Sequence, residues 1–280
     1  MVVPLKPPDV VELDLIDAVV AERKGGRNAD FFEEKYAAWR ERIEKYISAK
    51  GNPEDVRPWP DILPYKKMFL NLYGNPKAGS SHGKVLSKLR ERTLQLCPAC
   101  GEDGTPNTLD HYLPKEDYPE FAITAVNLFP MCDICQGKKL RETTDLHNQR
   151  LFLHPYYDDF LGQEVVILKI GGPFQAPTDV LIEPSPVLTL AQSALIRRHL
   201  GALEIPARYQ HFFRDQYLRL LRLVSDMRSE GQDVRAMLGL FLTMAASKSL
   251  NSWPHIFYAA VLSNAALLDY LETAQLPGYI

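Results

Sequence analysis

Two segments decide the reading of this chain: Cys97-Pro-Ala-Cys100, and Asn127-Leu-Phe-Pro-Met-Cys132-Asp-Ile-Cys135-Gln136-Gly-Lys138-Lys139-Leu-Arg141, with Thr108-Leu-Asp110-His111-Tyr-Leu-Pro114-Lys115 lying between them. The 4 cysteines of the chain are all here, in two CxxC pairs and nowhere else. A two-residue gap lets both thiolates of a knuckle face one metal, and two knuckles complete a tetrahedral zinc site. A redox CxxC needs a thioredoxin-like βαβ pattern beside it, and none is visible. Structural Zn2+ held by Cys97, Cys100, Cys132 and Cys135 is therefore the expectation.

Within that zinc-stapled loop stand a carboxylate next to an imidazole (Asp110 and His111), an amide sixteen residues on (Asn127), and the cations Lys115, Lys138, Lys139 and Arg141. An Asp-His dipeptide alone carries little. Set in this context, it is the equipment that metal-assisted hydrolysis of a phosphodiester needs.

The pattern CxxC, then Asp-His, then Asn-Leu-x-x-x-Cys-x-x-Cys followed by a polar residue and Lys resembles HNH endonucleases, in the subgroup whose ββα-metal motif is braced by two knuckles. The match covers about sixty residues. Asp-His-x-x-Pro-Lys with the following Tyr118-Pro119-Glu-Phe, and the later His154-Pro155-Tyr156-Tyr157-Asp158, are most similar to HNH proteins of bacterial anti-phage defence such as the nuclease subunit of Septu systems. The resemblance implies that Asp110 is a carboxylate ligand of a catalytic Mg2+ or Mn2+, that His111 is the general base, and that Asn127 holds the His111 backbone and ring in position. It implies DNA as substrate, an ATPase or other defence-system subunit as partner, and Lys115, Lys138, Lys139 and Arg141 as phosphate contacts. Where the family places His or Asn as a further metal ligand, nine residues after Asn127, this chain has Gln136. Either Gln136 supplies an amide oxygen, or His154 supplies the missing nitrogen, or His147 or His154 packs structurally against Tyr156. The alternative to a nuclease is a catalytically weakened fold that binds nucleic acid or a partner, and an RNA-directed activity is equally compatible with these residues.

Outward from this core, the fold class expected is α+β: a mostly helical chain around a small zinc-stapled ββα-metal core. Three segments are expected: an N-terminal helical region over 1–95, the nuclease core over 96–160, and a β-hairpin followed by helices over 161–280. Phe31, Phe32, Tyr36, Trp39, Ile43 and Tyr46 recur at helical spacing on one face after Asn28. Pro58, Pro60 and Pro64 break the chain, and a short basic helix is expected from Lys84 to Arg92. Residues 164–170 and 179–183 read as the strands of a hairpin. Helices are expected over 189–203, 206–228, 233–248 and 253–271, with Pro206 and Pro254 in first turns.

On the helix after Pro206, Tyr209, Phe212, Phe213, Leu220, Val224 and Met227 share one face, and Arg208, His211, Arg219 and Arg222 the opposite one. The latter is either a solvated face or a ridge that tracks phosphates. A net charge of -3 over 280 residues excludes binding to nucleic acid through bulk charge, so a polyanion must meet a local patch. The first residues, MVVPLKPPDVVELD, lack a basic segment followed by an apolar run, and the longest apolar stretch, from Ile256 to Leu271, is too short and too polar to span a bilayer. A cytoplasmic protein without membrane contact is expected.

Overall fold

Two antiparallel strand pairs and a preponderance of helix make up the computed structural model, which describes residues 3–26 and 28–278. The class is α+β, as the sequence implies. Among the described residues no helix is long and apolar enough to cross a membrane. The chain divides into two compact units: Pro4–Leu94 with Thr105–Asp158, and, of the described residues, Val3, Gln95–Gly104 and 159–278.

In the first unit α1 (Glu12–Ala21), α2 (Ala29–Ser48), α3 (Lys66–Gly74) and α4 (Ser81–Arg90) precede β1 (Thr108–His111), β2 (Leu128–Met131) and α5 (Asp133–Lys139). Helix α2 buries Phe32, Trp39, Ile43 and Tyr46, spaced seven, four and three apart, so one stripe faces inward. Phe31 and Tyr36 lie beside that stripe, half-buried. Trp39 packs edge-on against Phe69 of α3 at 5.0 Å, and its indole N–H donates to the Glu120 carbonyl at 2.8 Å. The N-terminal helices are thereby joined to the long connection between β1 and β2. The prolines at 58, 60 and 64 do interrupt helix, but α3 starts directly after them, where Phe69 and Leu72 supply a buried face. Helix α4 begins three residues before the expected Lys84, because the Ser80 hydroxyl caps it by accepting from the Gly83 N–H.

Strands β1 and β2 pair with Asp110 opposite Phe129 and His111 opposite Leu128. Short 3-10 turns at Pro119–Phe121 and Ala125–Asn127 fold the connection back against them. Helix α5 follows β2 immediately, with Cys132 at its N-cap. The result is strand, strand, helix in chain order.

The second unit holds β3 (Val166–Ile170) and β4 (Val180–Pro184), a hairpin in which Val166 pairs with Pro184 and Ile170 with Val180. After it come α6 (Leu190–Ala202), α7 (Ile205–Ser229), α8 (Val234–Lys248), α9 (Trp253–Ser263) and α10 (Ala265–Thr273). The single helix expected over 253–271 is two. Asn264 breaks it: its backbone is extended, its Oδ1 accepts from the Leu267 N–H, and its Nδ2 donates to the Ile170 carbonyl at 2.9 Å. A polar side chain bonded both to the next helix and to the hairpin outweighs the apolar continuity of the run.

Candidate active site and cysteine cluster

Asn127 closes the end of the β1–β2 pair. Its Oδ1 accepts from the Leu113 N–H at 2.8 Å and its Nδ2 donates to the carbonyls of Leu113 (3.0 Å) and Phe121 (3.2 Å). The Tyr112 N–H donates to the Asn127 carbonyl at 2.7 Å. The side chain thus clamps Leu113, two residues past His111, rather than the His111 backbone itself. Tyr46 adds a bond to the same Oδ1 at 3.0 Å. With all of these groups buried, each bond stands in for water that cannot enter.

His111, 4% exposed, places its Nε2 3.0 Å from the Ala122 carbonyl oxygen. A carbonyl only accepts, so Nε2 carries the proton and Nδ1 the lone pair. Burial pushes the imidazole pKa down to about 4, and the Lys115 and Lys139 cations act in the same direction against the Ala122 bond and Asp110. The ring is neutral at pH 7. Tyr73 covers it edge-on at 4.5 Å and is itself fixed by its hydroxyl, which donates to the Leu109 carbonyl at 2.9 Å.

Asp110 lies next to Gln136 and Lys139 of α5. Its Oδ1 accepts from Gln136 Nε2 at 3.2 Å. Its Oδ2 is buried and makes no hydrogen bond, although the Lys139 ammonium lies 3.1 Å away, a charge pair without hydrogen-bond alignment. Lys139 is itself buried and donates to the His111 carbonyl at 2.6 Å. It braces the Asp-His pair from inside, which corrects its expected role as a contact to flanking phosphates.

Three further expectations change. His154 is fully buried: its Nδ1 accepts from the Tyr156 N–H at 3.3 Å and its Nε2 lies 3.2 Å from the Tyr46 hydroxyl. With both ring nitrogens engaged it cannot ligate the catalytic metal; it is the packing residue instead. Arg141 is paired with Asp117. Arg208 is paired with Glu102 and sits 3.5 Å from Cys100 Sγ, so it belongs to the surroundings of the first knuckle and not to a phosphate ridge. Arg219 and Arg222 are exposed on α7, Lys138 is exposed on α5, and Lys115 is half-buried after β1.

Two residues that sequence reasoning missed support the site. Tyr46 was legible only as one of several apolar-face aromatics. Glu12 of α1 accepts from the N–H groups of Ala125 (3.1 Å) and Val126 (2.9 Å), holding the 3-10 turn that ends in Asn127. Its burial pushes the carboxyl pKa up to about 7 against these two bonds.

The Sγ atoms of Cys97, Cys100, Cys132 and Cys135 all lie within 4.8 Å of one another. Four thiolates around one zinc at about 2.3 Å would be ~3.8 Å apart, so this donor set suits a tetrahedral thiolate-bound metal. The first knuckle is held by its own loop and by helices of its unit. The Gly101 N–H donates to the Cys97 carbonyl at 2.7 Å, with Gly101 at φ +72. His199 Nε2 bonds the Ala99 carbonyl at 2.7 Å, and the Trp253 indole N–H bonds the Cys100 carbonyl at 2.7 Å. In the second knuckle the Cys135 N–H donates to Cys132 Sγ at 3.4 Å. Among the described residues no other group of three or more His, Cys, Asp or Glu side chains is close enough to share an ion. A catalytic divalent ion would have Asp110, whose Oδ2 is ion-paired with Lys139, and the Gln136 amide oxygen as protein donors. That oxygen-only set fits a hard cation that keeps several of its waters.

No family model matches the chain, and no solved structure matches it. A stretch of 64 residues, 23% of the chain, is 36% identical to "Protein ea31" of Escherichia phage lambda. The match spans only 22% of that protein's length.

Proposed function

We propose that the chain is an HNH-type endonuclease that hydrolyses phosphodiester bonds of DNA. The observation that carries the reading is the His111 ring: set at the end of β1 beside Asp110, neutral, with Nε2–H spent on the Ala122 carbonyl so that Nδ1 is the basic nitrogen. In the reaction Nδ1 takes a proton from water as its oxygen attacks phosphorus, the bond between phosphorus and the 3′ oxygen breaks, and the departing 3′ oxygen takes a proton from solvent to become the 3′ hydroxyl. The imidazolium that forms is stabilised by the adjacent Asp110 carboxylate. Asn127 and Lys139 keep the strand end that carries both residues in place. Asp110 and Gln136 would hold a divalent ion, which would supply Lewis-acid stabilisation of charge on the phosphate. Nicking of supercoiled plasmid in Mg2+ or Mn2+, abolished by EDTA, is the test.

A second reading is favoured by one observation. Gln136 turns its amide nitrogen, not its oxygen, to Asp110, and Lys139 also faces that carboxylate. A catalytically weakened nuclease fold that binds nucleic acid or a partner would look this way, and it would bind plasmid without cutting it. A role in anti-phage defence with an ATPase partner is supported by motif resemblance around Asp110-His111 and His154-Pro155; co-purification of an ATPase from the native host tests it.

A further inference from the structure

The ring of Tyr73, 4.5 Å from His111, also lies beneath two cations: Arg90 Cζ at 5.3 Å and Lys115 Nζ at 5.8 Å from its centroid. Arg90 belongs to the last turn of α4 and is exposed, while Lys115 is half-buried in the segment leaving β1. Three other cations around this core are ion-paired internally, Lys139 with Asp110, Arg141 with Asp117 and Lys66 with Glu116. Arg90 and Lys115 make no ion pair among the described residues; the polar contact of Arg90 is Nη2 to the Tyr73 carbonyl at 3.3 Å. Two cations held over one aromatic ring beside the imidazole, neither closed into an ion pair among the described residues, leave positive charge at the rim of the site. Stacking on the ring restrains side chains that would otherwise lose considerable rotamer freedom on binding.

We infer that Arg90 and Lys115, laid across Tyr73, form a binding site for a backbone phosphate of nucleic acid beside His111. The inference rests on the nuclease reading for the identity of the anion, and it gives the N-terminal helices a part in substrate binding: α3 supplies the platform and α4 one of the two cations. Tyr73 is the positioning residue, tied to β1 through the Leu109 carbonyl.

The test is fluorescence anisotropy of the zinc-loaded full chain with a 16-base-pair duplex, without added Mg2+ or Mn2+, between about 50 and 200 mM salt, a range over which phosphate contacts dominate the change in affinity. Arg90→Gln with Lys115→Gln should weaken binding at every salt concentration and reduce the slope of log affinity on log salt by about 0.9, the contribution of the one phosphate the pair neutralises. Arg90→Lys with Lys115→Arg, which keeps both charges, should restore most of the slope; a misfolded protein would not recover. Lys24→Gln, a charge change in the turn after α1, should leave the slope alone. A wild-type protein that cleaves DNA while the double Gln variant keeps the full slope overturns this site and leaves the nuclease reading standing. A wild-type protein that neither cleaves nor binds the duplex overturns both.

Discussion

Tyr46 and Asn127, 81 residues apart, meet at 3.0 Å: the phenol hydroxyl of α2 donates to the amide oxygen that closes the β1–β2 pair. The Tyr46 hydroxyl also lies 3.4 Å from the Val126 carbonyl, which shares its one proton, and the remaining bonds of the chain have assignable directions. His154 Nδ1 accepts from the Tyr156 N–H, so its single proton is on Nε2, which donates to the Tyr46 oxygen. Tyr46 in turn donates to Asn127, and Asn127 donates to Leu113 and Phe121. Burial keeps His154 neutral, pushing its pKa well below the ordinary value, and holds the Tyr46 phenol protonated, so the chain of bonds has one orientation.

Tyr46→Phe should therefore cost about 1–3 kcal/mol of stability, because it leaves the buried His154 Nε2–H without an acceptor. Its kcat for DNA cleavage should fall more than its KM rises. His154→Ala should destabilise the protein similarly without changing the metal concentration for half-maximal cleavage. Thermal melts and a metal titration check both, and a shifted metal requirement in the His154 variant would restore it as a ligand.

Glu12 makes stability depend on pH. Its folded pKa of about 7 lies above the ordinary carboxyl value of 4.5. A raised folded pKa means that its contribution is fully present below about pH 4.5 and is lost as pH rises through about 7. The loss is on the order of 3 kcal/mol for a shift of this size. Glu12→Gln should flatten the fall in melting temperature between pH 4.5 and 8; parallel curves for the two proteins would refute the assignment.

Elemental analysis should find about one zinc per chain, and Cys132→Ser should lower both zinc content and melting temperature, because structural zinc in small thiolate sites is coupled to folding. A metal-free preparation that melts like the loaded protein would exclude a structural zinc role for the four cysteines.

Gln136→His should lower the metal concentration needed for half-maximal cleavage, with the larger gain for Mn2+, since imidazole suits transition metals better than Mg2+. An unchanged requirement for both ions would place Gln136 outside the coordination shell.

What the sequence reveals and what it hides divide along a physical line. The stripe of α7 and the β3–β4 pair are legible because periodicity is a local property of the chain. The CxxC pairs and the Asp110-His111 segment are legible because their chemistry lies in residue types at fixed spacing. Arg208 was not, since a charge opposite an apolar face reads as solvated until its partner Glu102, 106 residues away, is seen. Glu12 gave no signal at all: its two acceptor bonds reach Ala125 and Val126, more than a hundred residues on, and an acidic residue in a first helical turn is ordinary there. Asn264 stood inside an apolar run that continues on both sides, so only its bond to the hairpin marks the break.

The central claim is that His111 is the base of a metal-dependent nuclease, and plasmid nicking by wild type and His111→Ala in 10 mM Mg2+ or Mn2+, roughly a saturating range for a weakly held hard cation, tests it most directly. The account predicts nicking by the wild type that EDTA abolishes, and a rate lower by about 10² to 10⁴ in His111→Ala with melting temperature and duplex affinity nearly unchanged. Equal cleavage by the two proteins, or none by a zinc-loaded, folded wild type, would contradict it.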